Sequence, residues 1–421
     1  MDRRVFVKSG GLALVTMGLS PSFLRRTAFG MDLASAPKGK TLICLFQRGA
    51  ADALNVVVPH GEKAYYSLRP SIAIARPVGL GKQLGGGESA IDLDGFFGLH
   101  PALAPLKPLY DRKMLAPVHA VGSPSTTRSH FDAQDYMETG TPDVKGTTDG
   151  WLNRYLAVQG TCAECTKNPF RAVALTPQTP RILEGSSETV AMNSLDEFTV
   201  RTTGSQADRL EALYRTGSAD LVHGAGSEMF DAVKMLRAAN PQKYMARNGA
   251  EYPRTQFGQR LLQIAQLIKA DVGLEIAFAD VGGWDTHVNQ GAATGQLAQR
   301  LGDFAQSINA LVTDLGDKMG DVVILTMSEF GRMARENGNR GTDHGHAGAL
   351  FVIGGDVRGG KVYGKWPGLE QEQLYEGRDL ALTTDFRSVF SEITSRHMGA
   401  TKTEKIFPGF ASSQQSWLGI V

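Results

Sequence analysis

Leu274-Glu-Ile-Ala-Phe-Ala279 and Val322-Val-Ile-Leu-Thr-Met327 are two short apolar runs, and the residues before and between them read as helices. Within Thr255–Lys269, Phe257, Leu261, Leu262, Ala265 and Ile268 recur at helical spacing. Between the runs, Leu297, Leu301, Phe304, Ile308, Leu311 and Leu315 step by four and three along one helical face, and Gly316 or Gly320 can end that helix. Strands that are apolar along their length are buried on both faces. Helix–strand–helix–strand order with such strands predicts a doubly wound, mostly parallel α/β sheet.

Working outward, Thr41–Phe46 and Met114–Val121 are further apolar runs, and Ala349–Ile353 reads as one more strand. Four of these runs end in polar loops. Thr41–Phe46 leads to Arg48-Gly-Ala-Ala-Asp52, and Met114–Val121 leads to Ser125-Thr-Thr-Arg128-Ser129-His130. Leu274–Ala279 leads to Gly282-Gly-Trp-Asp285-Thr-His287, and Val322–Met327 leads to Ser328-Glu329-Phe-Gly-Arg332 and then Asp343-His344-Gly-His346. Ligands of open parallel sheets sit beyond the carboxyl ends of the strands, so these loops are expected to converge on one site.

Other segments carry less information. Gly79–Gly98 reads as a Gly-rich surface loop, Asp143–Gly150 as a polar connector and Asp385–Ser395 as a helix. Asp208–Tyr214 and Glu228–Ala238 read as helix-forming, and a helical insertion or cap is expected at roughly 205–250.

With 44 basic and 43 acidic residues, the chain has no field that would favour nucleic acid as a partner. Arg3-Arg4-Val5-Phe6-Val7-Lys8 followed by the apolar Gly10–Leu19 reads as a twin-arginine leader, with the translocase as a transient partner. Ala34-Ser35-Ala36 offers a cleavage site and Ala28-Phe29-Gly30 a weaker one, so residues 1–36 are read as signal and 37–421 as the mature domain. The competing reading is a basic N-terminal helix. No apolar run is long enough for a stable membrane span, and a periplasmic or secreted location is expected. Cys44 lies in an apolar run and reads as a buried small hydrophobe. Cys162-Ala-Glu-Cys165 in an oxidising compartment reads as a local disulfide, with a redox pair or half a zinc knuckle as alternatives.

The polar loops supply a set of metal-ligand chemistry. Asp285 and His287 can face one ion if their loop curls. Asp343, His344 and His346 place a carboxylate and two imidazoles within four residues, a donor set suited to Zn²⁺. Glu329 is a further candidate ligand, and Asp52 could bind or bridge metals; each also fits an ion pair or a helix cap. Arg332 could orient an anionic substrate or pair with Glu329, and Arg48 could contact substrate or balance Asp52. Ser129, or Ser125, stands where a helix is expected to begin, which suits an oxyanion and an activated nucleophile. A plain N-cap is the alternative, and His130 is then a ligand or an acid/base group. His60, His100, His119, His223 and His397 lack such context and read as ordinary core or surface residues.

The leader, Phe46-Gln-Arg-Gly-Ala-Ala-Asp52, Arg128-Ser-His-Phe-Asp-Ala-Gln-Asp135, Gly282-Gly-Trp-Asp-Thr-His287, Ser328-Glu-Phe-Gly-Arg332 and Asp343-His344 run in order along the chain. Together they resemble the bacterial DUF1501 family, whose members look like distant relatives of alkaline phosphatases and sulfatases. The resemblance implies an alkaline-phosphatase-like domain with one or two divalent ions and a nucleophile at a helix N-terminus. Asp52 would match the first-strand Asp, Ser129-His130 the nucleophile region, Met137-Glu-Thr-Gly140 a sulfatase-like turn, and Asp285 with His287 the central pair. The late Asp-His pair would match Glu329, or Asp343 with His344. Two spacings differ. Gly122 stands where sulfatases carry the residue that becomes formylglycine, and the central pair is Asp-x-His rather than Asp-x-x-x-His.

The expected function is metal-dependent hydrolysis of phosphate or sulfate esters, on a small molecule or a polymer. The metal would be Zn²⁺, with Ca²⁺, Mg²⁺ or Mn²⁺ as alternatives, Ser129 or a metal-bound water the nucleophile, and Arg128 or Arg48 the oxyanion clamp. The alternative is a secreted, non-catalytic metal-binding or assembly protein on the same fold.

Overall fold

A computed structural model describes residues 39–77, 88–159, 168–197 and 232–421. The expected twin-arginine leader, the Cys162–Cys165 pair, residues 79–87 of the Gly-rich loop and most of the expected 205–250 insertion lie outside the described residues.

Among those residues the main sheet has eight strands: β1 (Thr41–Gln47), β5 (Leu115–Gly122), β6 (Ala172–Ala174), β7 (Val190–Ala191), β8 (Ile276–Val281), β9 (Val322–Met327), β10 (Gly348–Gly354) and β11 (Thr384–Asp385). Their order is β11-β5-β10-β9-β1-β8-β6-β7. The expected mostly parallel sheet is present. Strand β1 pairs in parallel with both β8 and β9, and β10 alone runs against its neighbours β5 and β9. That reversal matters for the site. The chain leaves β9 at the carboxyl edge and must enter β10 at the same edge, so all of Ser328–Ala347 stays there.

Alternation along β1 builds two core layers. Ile43 and Leu45 face one cluster, with Leu261 and Ile264 of the helix Gln256–Lys269 and Leu301, Phe304 and Ile308 of the helix Gln296–Leu315. Leu42, Cys44 and Phe46 face the other, with Trp151 and Leu152 of the helix Trp151–Gln159 and Val389 and Phe390 of the helix Phe386–Glu392. A sheet buried on both faces requires apolar residues at successive positions, and β1 supplies them. The Phe257 and Phe304 rings stack at 5.4 Å and lock the two helices of the first layer together. Thr255 caps its helix, accepting the Gly258 N–H at 3.1 Å.

Two local expectations change. The 274–279 run starts its strand at Ile276, because pairing with β1 begins at Leu42 opposite Ile276. Part of the supposed surface loop is ordered into a small antiparallel sheet, in which β4 (Gly98–Leu99) lies between β2 (Val57–Val58) and β3 (Ile91–Asp92). No helix among the described residues is long and apolar enough to cross a membrane.

Candidate metal centre

Loops from β1, β8 and β9 and the start of the helix His130–Thr139 meet at the carboxyl edge. Gly49, after β1, has φ +119°, and a Cβ there would come 2.8 Å from the Asp285 backbone nitrogen. Only glycine permits that approach. Trp284 is buried, donates its Nε1–H to the Val281 carbonyl at 2.9 Å and packs edge-on against Phe304. This anchors the Gly-Gly-Trp-Asp turn and leaves Asp285 and His287 partly exposed beyond it.

Backbone pairing then joins this loop to the next. Thr342 N–H bonds the Thr286 carbonyl at 3.1 Å, and Asn289 and Gln290 N–H bond the Asn339 and Arg340 carbonyls, both at 2.9 Å. The β9–β10 connection doubles back on itself, with Gly345 N–H on the Gly331 carbonyl at 2.9 Å and Arg332 bridged to His344. A Cβ on Gly345 would fall 2.4 Å from the Arg332 carbonyl carbon, so the hairpin closes only around glycine.

Three imidazoles and a carboxylate converge where these loops meet. His344 Nε2 stands 3.0 Å from both His130 Nε2 and His287 Nε2. Asp285 Oδ1 lies 3.0 Å from His287 Nε2 and 3.3 Å from His344 Nε2, and its Oδ2 is 3.6 Å from His130 Nε2. Each ring's other nitrogen is bonded to an acceptor: His130 Nδ1 to Glu329 at 2.7 Å, His287 Nδ1 to Asp343 at 3.0 Å, and His344 Nδ1 to the Arg128 carbonyl at 2.8 Å.

Further groups hold this set in place. Buried Glu329 also accepts from Gly49 N–H at 2.8 Å and Gln134 Nε2 at 2.9 Å. Arg332, itself buried, bonds Asp285 and the carbonyls of Gly49, Ala50, Trp284 and Thr342. Asn337 supports Asp343 at 3.0 Å.

The electrostatics follow from these contacts. The Glu329 hydrogen bond raises the His130 pKa against the opposing effect of burial. Burial lowers that of His344, and the charges of His130 and Arg332 add to it. Burial alone would raise Asp285, but the Arg332 bond and the surrounding cationic groups bring it below the ordinary range. Glu329 is likewise lowered, its bonds from His130, Gln134 and Gly49 outweighing burial.

His130, Asp285 and His344 make up a candidate metal-binding group, with donor atoms all within 4.8 Å of one another. Donors around a tetrahedral Zn²⁺, at about 2.0–2.1 Å from the ion, lie about 3.3 Å apart, and the separations above bracket that value. The imidazoles and carboxylate therefore fit a first-row divalent ion.

The model of the family described as "Protein of unknown function (DUF1501)" matches residues 115–407. The chain belongs to the DUF1501 family. No curated protein matches it. Among solved structures it is similar to a protein in the alkaline phosphatase superfamily from Vibrio parahaemolyticus, at 11% identity over 86% of this chain and 71% of that chain, with a TM-score of 0.31. At that score the likeness is loose.

The sequence-predicted residues divide into those the fold brings together and those it does not. Asp285, His287 and His344 meet, and His130 joins them as an inner group. Asp343 and Glu329, expected as ligands, stand one step back and bond the far nitrogens of His287 and His130.

Asp52 is engaged by other partners. It is fully buried, with Arg69 bonding its two oxygens at 2.6 and 2.9 Å and Gln290 adding a bond at 2.6 Å. Its oxygens thus face cationic and amide donors. The His346 ring stacks on Tyr375 at 4.4 Å, and His346 is not in the candidate metal-binding group. Arg48 is engaged by Asp280 at 2.7 Å, Glu138 at 2.8 Å and Gln134 at 2.9 Å, which makes it a brace behind Glu329. Arg332 pairs with Asp285 and not with Glu329.

Ser129 is the N-cap of the helix His130–Thr139, but its side chain makes no capping bond. Ser125 is buried and donates to Asp143 at 2.6 Å, which fixes a turn. His60, His100, His119 and His397 are buried, and His223 lies outside the described residues. Sequence reasoning missed Gln134 and Arg69. Gln134 had a usable signal, since it lies four residues after His130 on the same helical face.

Proposed function

We propose that this DUF1501 protein is a metal-dependent hydrolase of phosphate or sulfate esters that holds one divalent cation, Zn²⁺ by donor chemistry, among His130, His287, His344 and Asp285. One observation carries the reading. The Arg128 carbonyl can only accept, and ionised Glu329 and Asp343 likewise only accept, so each Nδ1 carries its ring's proton. In the neutral rings the Nε2 atoms then present lone pairs to one another at 3.0 Å, an arrangement that a cation shared between them would satisfy. Such orienting partners are typical of metal-bound imidazoles.

When bound, the ion supplies Lewis acidity toward an ester oxygen. The chain's own residues do the rest. One carboxylate against a dication leaves the centre net positive, as an anionic ester requires. The helix His130–Thr139 presents its amino end beside His130, and with no capping bond from Ser129 its first N–H groups favour an oxyanion. Ser129 is the N-cap residue at that end and precedes His130 in the chain, which supports it as the candidate nucleophile.

A second reading has its own support. Three imidazoles and a carboxylate already make four protein donors, and a closed four-donor set is the pattern of structural zinc. The protein would then bind metal without turnover. Purified, zinc-loaded protein assayed on aryl phosphate and aryl sulfate esters separates the readings. Turnover that Ser129→Ala removes while metal content is unchanged supports the serine. Turnover that survives Ser129→Ala removes the serine from the reaction and keeps the hydrolase. A fully loaded protein inert toward both esters leaves the non-catalytic reading.

Export is part of the proposal, resting on the Arg3-Arg4 leader. Arg3→Lys with Arg4→Lys should hold the precursor in the cytoplasm, and undiminished periplasmic accumulation of that variant would remove the twin-arginine reading.

A further inference from the structure

We infer that Asp379 is a positioning residue for this centre, holding His344 from two sides through Arg128 and Arg378; the inference rests on the metal-binding reading above. Asp379 is fully buried. Its Oδ2 accepts from Arg128 Nε at 3.1 Å, from Arg128 Nη2 at 2.7 Å and from Arg378 Nη1 at 3.1 Å. Each arginine in turn touches His344. The Arg128 carbonyl takes the Nδ1 proton of the His344 ring at 2.8 Å, and Arg378 Nη2 donates to the His344 carbonyl at 2.9 Å. One carboxylate oxygen thus fixes the ring through one arm and the main chain through the other.

His344 is the corner where such control counts most. Its Nε2 is shared by the contacts to His130, His287 and Asp285. A shift of that ring opens several donor separations at once. The Arg128 bond also sets which nitrogen of His344 carries the proton, and so keeps the lone pair on the inward side.

Asp379 is itself tightly placed. Its N–H bonds the Tyr375 carbonyl at 3.0 Å, its carbonyl accepts from Tyr375 N–H at 2.8 Å, and it bridges to Met333 across the hairpin that carries His344. Without the carboxylate charge, two guanidiniums that now share an oxygen would repel. Glu376, which also bonds Arg128 at 2.7 Å, is exposed, and solvent screening makes it a weak substitute.

The test is metal binding by the full-length protein. Zn²⁺ affinity is read by competition with a chromogenic chelator, and the donor geometry by the visible absorption of the Co²⁺-loaded protein. Asp379→Asn keeps the shape and removes the charge; it is expected to weaken Zn²⁺ binding about 10–100-fold and to shift the Co²⁺ bands. Asp314→Asn is the control. Asp314 is equally buried and is paired with Lys269 and Tyr252, so its loss lowers thermal stability with affinity and spectrum unchanged.

If Asp379→Asn does not fold, Arg378→Met cuts only the main-chain arm, on a side chain that is 30% exposed. A loss of about tenfold then supports the role, and unchanged affinity overturns it. Wild-type affinity and spectrum in a folded Asp379→Asn overturn it as well. A wild-type protein that takes up neither ion removes the centre itself, a failure distinct from uptake that Asp379→Asn leaves intact.

Discussion

His130 and His344 face each other through their Nε2 atoms at 3.0 Å, while their Nδ1 atoms are bonded to Glu329 at 2.7 Å and to the Arg128 carbonyl at 2.8 Å. Two imidazoles so arranged have nothing to exchange except a proton or a shared cation. Zn²⁺ should therefore stabilise the folded protein, by about 2.7 kcal/mol at a free concentration a hundred times the dissociation constant. The measurement is the thermal midpoint with Zn²⁺ and with a chelator. His344→Ala, which removes the shared corner, should abolish the difference; a zinc-dependent shift that persists in it would locate the binding elsewhere.

Glu329 should matter more than Asp343, although each bonds the far nitrogen of a candidate ligand. Glu329 is buried, and Asp343 is 46% exposed, so water can replace its bond to His287. Glu329→Gln offers His130 an amide in place of a carboxylate and is expected to weaken zinc binding about 10–100-fold. Asp343→Asn should cost less. Chelator competition on both variants decides the order, and equal losses would show that burial does not set the difference.

Asp52 is predicted to carry stability and not metal. Asp52→Ala leaves the Arg69 guanidinium buried without its counter-charge, a defect that costs about 3–5 kcal/mol. Denaturant unfolding reads that loss, and metal analysis of the folded variant should give the wild-type stoichiometry. A drop in bound metal would return Asp52 to the ligands.

Much of this was legible in the chain because of one physical regularity: apolar runs buried on both faces must be strands of a covered sheet. Thr41–Phe46 and Val322–Met327 announce β1 and β9 to within a residue, and the loops after them converge because parallel strands end at one edge. The direction of β10 was not legible, since an apolar run reads alike both ways. Nor were the two-residue strands of the small sheet, which are too short to show a period.

Within the site, residue type was legible but rank was not. Glu329 and Asp343 have ligand chemistry, and only the fold shows imidazoles standing in front of them. Asp52 looked like the others because its partner Arg69 lies in a segment with no pattern to flag it. Asp379 had no signal at all, since its role exists only through two arginines that sit far apart in the chain.

Away from the centre, His119 makes stability depend on pH. His119 on β5 is buried, with Nε2–H donated to the Val57 carbonyl at 3.0 Å and Nδ1 accepting the Ala120 N–H at 2.9 Å. Both nitrogens are thus satisfied by the neutral ring. Burial lowers its pKa from 6.5 to about 4, against the smaller opposing effect of the Val57 bond. Between those values the unfolded chain binds a proton that the folded chain refuses, so stability rises with pH across the window and is lost as pH falls from about 6.5 toward 4. The full loss is about 3 kcal/mol. Urea unfolding of wild type and His119→Gln at pH 7 and at pH 4.5 isolates the contribution, because the other titrating groups are common to both. The variant should be less stable at pH 7 and should lose less on acidification. Parallel pH dependence in the two proteins would falsify the assignment.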